Sequence, residues 1–359
     1  MVLESVRALV GAGYRAVVVV PGPGPLVALL KDAGATVKEQ ATPIMRRGLL
    51  SVRGLAQLAR EAFTSLVPSW RLLRDTGAGT VLVNTITPPL WLPLARMRRC
   101  RVVCHVHEAE STAPALLRRA LYLPLVFCHG VVVNSRFTLG VLAKSAPWLR
   151  RRASTVYNAV VSPDEVTAAR DVLSAPVRIL YVGRLSERKG PQLVVEAIRL
   201  LLDRGLEVHL TLLGAVFPGN EAFEVGLHEQ VRRLDLENRV TWLGFKSDVW
   251  PHFADCDLVV IPSLVDESFG NTAVEASLAG RPLIVSDVAG LKEATQEAQA
   301  RIAVPVGNSE AIASAVMTIE SDWVRFRELA AMDAAQARQS FSRERYARGL
   351  LSAIGLTRV

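Results

Sequence analysis

Short, continuously apolar runs rich in valine and isoleucine alternate along this chain with stretches whose apolar positions recur every three to four residues. In the first half the runs fall at 16–20, 80–83, 102–106, 131–133 and 154–157, with helical patterns at 55–63, 116–125 and 138–144. In the second half they fall at 178–182, 208–213, 240–242, 258–261, 283–285 and 302–304, and residues 311–353 read as largely helical. A strand apolar on both faces belongs to a parallel sheet covered on both sides. Alternation of such strands with helices predicts an α/β chain of doubly wound domains.

The alternation pauses over residues 158–175, which hold Ser162-Pro163-Asp164-Glu165 and no strong strand. The expected division is therefore a first domain over 1–165, a second over 171–335 and a helical tail over 336–359 that packs back towards the first. Two consecutive domains of this kind leave one binding cleft, between the carboxyl ends of both sheets. The chain opens in a helix, 2–10, stopped by Gly11 and Gly13. The strand and glycine turn that usually open such a domain would lie before Met1. Residues 77–95 are uncharged, but Pro88, Pro89 and Pro93 suit a strand, a turn and a short helix better than a membrane span.

Composition sharpens this picture. A chain of 359 residues, half of them hydrophobic and 21% charged, is no disordered chain and suits two domains of middling size. The net charge of +8 suggests an anionic partner. It divides unevenly: +13 over residues 1–170 and −5 over 171–359. The four cysteines, Cys100, Cys104, Cys128 and Cys256, complete no zinc pattern and read as reduced core residues of a cytosolic protein. Met1-Val2-Leu3-Glu4 does not begin a signal peptide.

Three segments carry candidate chemistry. In Gly183-Arg184-Leu185-Ser186-Glu187-Arg188-Lys189-Gly190-Pro191, a strand ends, a loop follows and a helix starts near Pro191. Arg184 and Lys189 flank a helix N-terminus at the carboxyl end of a parallel strand, an arrangement that suits a diphosphate. Read alone, it is equally an ordinary basic loop. In the second segment, Asp266 to Ala276, Glu267 and Glu275 stand eight apart, and 271–278 reads as a helix. Amides of Gly270, Asn271 and Thr272 at its start would cap a phosphate. Glu275 sits among Ala, Val and Leu, where a charge needs a partner such as a ribose diol. The third segment is His105-Val106-His107-Glu108, whose alternation puts both imidazoles on one face. No third ligand is assignable, so a metal site is not expected. His105 reads as a satisfied core histidine, and His107 as an imidazole lining the cleft, a sugar binder or proton donor. Weaker signals are Asn134-Ser135, as a loop facing the cleft, and Gly214 and Gly244-Phe245-Lys246, which read equally as plain turns or as the frame of a nucleobase with Phe245 stacking. No Walker loop and no Gly-x-Gly-x-x-Gly follows a strand.

In order and spacing these pieces resemble the retaining glycosyltransferases of family 4 (GT4, glycosyltransferase group 1), which have the GT-B fold: two Rossmann-like doubly wound domains whose parallel sheets face a central cleft. The resemblance rests on Gly183-Arg184-Leu185 through Lys189-Gly190 and on the E-x7-E motif Glu267-Ser-Phe-Gly-Asn-Thr-Ala-Val-Glu275. Pro262-Ser263, Gly280-Arg281-Pro282, Asp287 to Glu293, Val133-Asn134-Ser135 and Tyr157-Asn158-Ala159-Val160 also fit. The family's opening strand and glycine-rich loop are missing before Met1, and its Gly-Gly is Ala289-Gly290 here.

The resemblance implies transfer of a sugar from a UDP- or GDP-linked donor to a hydroxyl acceptor with retention, in cell-envelope or polysaccharide glycoconjugate synthesis. It implies no cofactor and no metal. Arg184 and Lys189 would neutralise the diphosphate, Glu275 would hold the ribose, and Glu267 and His107 would reach the transferred sugar. Gly183 and the amides of Phe269, Gly270, Asn271 and Thr272 would line the donor site with Phe245 and Lys246. With no opposed carboxylate evident in the first half, same-face attack assisted by the leaving phosphate is expected. The competing readings are a non-catalytic sugar-nucleotide-binding protein and a GT-B epimerase. Expected partners are the nucleotide sugar, a glycan or lipid-linked acceptor and, through Arg46, Arg47, Arg53, Arg60, Arg71, Arg74, Arg96, Arg98, Arg99 and Arg101, an anionic membrane surface. Nucleic acid is not expected. The expected location is cytoplasmic, peripheral at the inner face of the plasma membrane.

Overall fold

The computed structural model describes residues 1–45 and 52–356. The chain divides into two compact units, Met1–Ala159 with the segment from Arg343, and Val160–Ser342.

In the first unit α1 (Val2–Gly11) leads to β1 (Val17–Val20), α2 (Pro25–Asp32), β2 (Thr36–Glu39) and the long α3 (Val52–Thr76). There follow β3 (Thr80–Asn84), α4 (Trp91–Met97), β4 (Arg101–Val106), α5 (Ala115–Tyr122), β5 (Gly130–Val133), α6 (Arg136–Ser145) and β6 (Ala153–Thr155). The uncharged 77–95 segment is thus a strand, a turn and the start of a short helix. All strand pairs are parallel. The expected single sheet is instead two, a pair β1–β2 and a four-stranded β3–β4–β5–β6, because β1 and β3 do not hydrogen-bond to each other.

The second unit runs β7 (Val177–Val182), α7 (Pro191–Asp203), β8 (Val208–Leu213), α8 (Glu221–Arg233), β9 (Val240–Gly244), α9 (Trp250–Ala254) and β10 (Leu258–Ile261). It continues with α10 (Asn271–Leu278), β11 (Leu283–Ser286), α11 (Ala289–Ala294), β12 (Arg301–Val304), α12 (Ser309–Ser321) and α13 (Trp323–Ser340). A last helix, α14 (Arg343–Ile354), belongs to the first unit and packs on α1, where the Tyr346 and Ser5 hydroxyls meet at 2.7 Å. The six parallel strands of the second unit are ordered β12-β11-β10-β7-β8-β9. The order reverses between β10 and β7, so the loops after these two strands diverge and open a crevice. β10 and β11 are buried at every residue, which is why their sequences lack an apolar–polar alternation.

The irregular segment before β7 is tied to the sheet. Arg281, 1% exposed, donates to the carbonyls of Cys256, Ala279, Ala254 and Thr167. The fully buried Asp257 accepts from Arg170 Nε at 2.8 Å and from the Arg178 amide at 2.7 Å. Every charge here has partners, as burial demands. All four cysteines are buried and free.

Candidate active site

The loops after β7 and β10 meet at the reversal of strand order, and both sequence motifs lie on them. Lys189 Nζ is 2.8 Å from Glu267 Oε1, and Ser263 Oγ donates to the same oxygen at 2.7 Å. Glu267 is 9% exposed, so its carboxylate is held by a cation and a hydroxyl with little help from water. The sequence predicts separate tasks for Lys189 and Glu267; in the free chain they bind each other. Ser263 is a member that sequence reasoning placed only as part of the resemblance.

Backbone contacts fix this geometry. Gly190 takes φ +74° at the N-cap of α7, and a Cβ there would stand 2.1 Å from the Pro262 carbonyl oxygen. Gly290 lies so close to the Glu267 main chain that a Cβ would be 1.8 Å from the Glu267 carbonyl oxygen. Across the sheet, the Gly183 amide donates to Leu213 and the Gly214 amide to Gly244, which brings the ends of β7, β8 and β9 side by side.

Arg184 is exposed on this rim, its guanidinium 3.7 Å from the centre of the Phe217 ring. Burial pushes its pKa down, yet guanidinium remains charged. Phe217 was not singled out in the sequence, since nothing in an isolated loop phenylalanine marks it as a cation's platform. Phe245 is 77% exposed and Lys246 is exposed beside it, both at the end of β9.

α10 begins at Gly270 (φ +114°), and no side chain caps it. Gly270, Asn271 and Thr272 lie at this helix start as expected. The Phe269 side chain is turned away: it is 1% exposed and packs edge-on against Phe341 at 5.7 Å, leaving only its main chain for a ligand. Glu275, a turn further along, is half-buried, and among the described residues its carboxylate has no hydrogen bond or ion pair. Desolvation raises its pKa to about 6. Between pH 4.5 and 6 folding takes up a proton at Glu275, so its stability cost appears as pH rises through that window. Glu275→Gln is expected to stabilise the free protein above pH 6 by about 1–2 kcal/mol in thermal melts, and to leave melts near pH 4 unchanged.

The histidine pair lies at the end of β4. Its rings face each other with centroids 4.0 Å apart, the shared face that alternation predicts. His107 Nε2 is 3.1 Å from Asn84 Oδ1. Burial lowers its pKa to about 4, so the ring is neutral at physiological pH. His105 is fully buried but is not the satisfied histidine expected from sequence, since neither ring nitrogen has a hydrogen-bond partner. It lies on a central strand with the rings of His107 and Tyr346 beside it, at centroid distances of 4.0 and 6.2 Å. Beside the pair, Thr85 takes φ +116° and donates through Oγ1 to Glu108. A β-branched residue in that region is strained, and such strain concentrates at functional sites. Sequence gives no sign of it. Asn134 and Ser135 do not form an open loop: both are buried, and Ser135 caps α6 by accepting from the Thr138 amide. Among the described residues no group of three or more His, Cys, Asp or Glu is placed to hold a metal ion.

A family model described as glycosyl transferases group 1 matches residues 169–340, and one described as glycosyltransferase family 4 matches residues 1–162. An uncharacterized glycosyltransferase of Methanocaldococcus jannaschii is 36% identical over 152 residues, 42% of this chain and 37% of that protein. A D-inositol 3-phosphate glycosyltransferase of Corynebacterium glutamicum is 31% identical over 147 residues, 40% of this chain and 35% of that one. The matched segments thus span little more than a third of these relatives' own length. Among solved structures, Anabaena HepE in complex with UDP and glucose superposes with a TM-score of 0.80 at 22% identity, over 99% of this chain and 96% of that one. The sucrose-phosphate synthase of Thermosynechococcus elongatus gives 0.74 at 18%, over 97% and 90%. The fold is therefore GT-B, and with one family model on each half, the chain belongs to the group 1, family 4 glycosyltransferases.

Proposed function

We propose that this chain transfers a sugar from a UDP- or GDP-linked donor to a hydroxyl acceptor with retention of configuration, in the synthesis of a cell-envelope or polysaccharide glycoconjugate. The observation that carries the reading is the cluster at the strand-order reversal. Two cations and a helix start stand ready for a diphosphate, and two carboxylates eight residues apart stand ready for hydroxyl groups. Arg184 and Lys189 bind the diphosphate and stabilise its charge as it leaves. Glu275, unpaired among the described residues, accepts from the ribose hydroxyls. Glu267 and His107 hold the transferred sugar, His107 as a neutral ring. Phe245 and Lys246 meet the base. In the step itself the bond from the anomeric carbon to the diphosphate oxygen breaks. The acceptor oxygen bonds to the same face, and its proton passes to the departing phosphate. The cations and helix amides do the charge work, and no metal is assigned a part.

Incubation with a panel of UDP- and GDP-sugars is expected to release UDP or GDP from one donor, and Glu267→Ala to abolish that release. NMR of the product is expected to show the donor's anomeric configuration; an inverted product refutes retention. Binding of a donor without turnover by the wild type would favour the non-catalytic reading.

We further propose that the acceptor is lipid-linked and that the basic first half docks on an anionic membrane. On α3 Arg60, Phe63, Val67, Arg71 and Arg74 recur at helical spacing, all exposed, so apolar and basic groups share one stripe. Four of the expected arginines have other partners: Arg101 donates to the Ile354 carbonyl at 2.7 Å, Arg98 lies over Trp70, Arg96 meets the His129 ring, and Arg74 pairs with Asp75 at 2.8 Å. Arg46 and Arg47, with the side chain of Arg53, lie outside the described residues. Among the described residues no helix is long and apolar enough to cross a membrane. Cosedimentation with phosphatidylglycerol vesicles is expected at low salt, falling several-fold at high salt; equal sedimentation without lipid ends the idea.

A further inference from the structure

Phe217 lies in the loop between β8 and α8, half out in water at 51% exposure. Core packing does not account for the ring. Its neighbour Val216 packs against the core of the unit, whereas the Phe217 ring carries the Arg184 guanidinium. Among the described residues the Arg184 side chain makes no hydrogen bond and no ion pair, so this ring is the contact that places it.

The backbones under both side chains are pinned. The Arg184 carbonyl accepts from the buried Tyr181 hydroxyl at 2.8 Å, and the Leu185 amide donates to the Ala215 carbonyl at 3.1 Å. Gly214 comes so near that a Cβ there would stand 1.8 Å from the Gly183 carbonyl oxygen. Beyond the ring, Pro218 favours an extended Phe217, and the Asn220 amide closes a turn onto the Phe217 carbonyl at 3.0 Å. The two loops are thus joined two residues before the phenylalanine and one residue after the arginine, which fixes ring and cation relative to each other.

The distance sets the orientation. A guanidinium that aimed an N–H into the ring would hold its central carbon further out, so at 3.7 Å it lies flat on the ring. Flat stacking leaves its N–H groups pointing outward in the guanidinium plane, where they can donate in pairs to phosphate oxygens. It also restricts a long, exposed side chain before any ligand arrives, so less ordering is left to binding. Lysine has no planar face to stack in this way.

We propose that Phe217 is a positioning residue for the donor diphosphate: it holds the Arg184 guanidinium flat, before and after binding, with its in-plane N–H groups turned to the phosphate oxygens. This rests on the reading that Arg184 meets the diphosphate and adds the residue that aims it.

Two measurements on the full chain test it. In NMR of arginine-labelled protein, with Arg184→Lys for assignment, the Arg184 Nε–H proton is expected upfield because of the Phe217 ring current, and to stay there when UDP or GDP is added. Phe217→Leu, apolar but without a ring, is expected to abolish that shift. Calorimetric titration with UDP and with GDP then follows whichever nucleotide binds more tightly. Phe217→Leu is expected to weaken it about fivefold and Phe217→Tyr to restore it. In Arg184→Ala, itself weaker than the wild type, the same Phe217→Leu change is expected to alter affinity by less than about twofold, the coupling that a merely structural phenylalanine would not show. Loss of the upfield shift on adding nucleotide, or tighter binding by Phe217→Leu, would mean that the ring holds Arg184 away from the ligand and overturns the proposal. Equal affinity of Phe217→Leu and the wild type overturns it and leaves the diphosphate reading standing. Arg184→Ala binding as tightly as the wild type, or no binding of either nucleotide by the wild type, overturns the diphosphate reading and the proposal with it.

Discussion

Lys189→Ala is expected to lower donor turnover by about 10²–10³-fold. Lys189 is ion-paired to Glu267 at 2.8 Å, and the helix that follows it starts two residues later, at Pro191. Its removal takes charge from the leaving diphosphate and leaves Glu267 with the Ser263 hydroxyl as its remaining named partner. Lys189→Arg keeps the charge but not the compact ammonium that fits beside Ser263, so partial rescue is expected. Steady-state release of UDP or GDP measures both. A fall of less than tenfold in kcat and in kcat/KM would remove Lys189 from the site.

Gly290→Ala is expected to be among the costliest single-methyl changes in the second unit's rim. The new Cβ would stand 1.8 Å from the Glu267 carbonyl oxygen, and backbone cannot yield as a side-chain tip does. Destabilisation of about 3 kcal/mol or more is expected, with loss of turnover because Glu267 itself is displaced. Gly226→Ala, in α8 with nothing within 4 Å of its Cβ, is the matched control and is expected to stabilise by about 1 kcal/mol. Thermal melts of the two variants should move in opposite directions; equal shifts would refute the close approach.

Much of this was readable from residue order. β8, β10 and α10 fall where the apolar runs and the glycine before Asn271 place them; β10 is buried at every residue, and β8 keeps its apolar positions buried around the half-buried His209 and Thr211. β2 was not readable: Thr36-Val37-Lys38-Glu39 is a largely exposed edge whose strand character comes from pairing with β1. α3 runs well past the 55–63 pattern and holds Pro68 within the helix. At the site, Arg184, Lys189, Glu267 and Glu275 were legible because their chemistry repeats at fixed spacing. The direction of the Phe269 ring, the strain at Thr85 and the platform under Arg184 depend on contacts between distant residues, which spacing does not encode.

The ties around Arg281 and Asp257 bear on where the second unit can be cut from the chain. Residues 160–176 contain no helix or strand, so they look like a tether that a protease would clip and an expression boundary could discard. They are instead the far half of a buried ionic seam: Thr167 receives one arm of Arg281, Arg170 neutralises Asp257, and the Arg170 carbonyl accepts from the Trp323 indole at 3.0 Å. A fragment beginning at Val177 would leave Asp257 with Arg178 alone and deprive Arg281 of the Thr167 carbonyl, whereas one beginning at Val160 keeps all these partners.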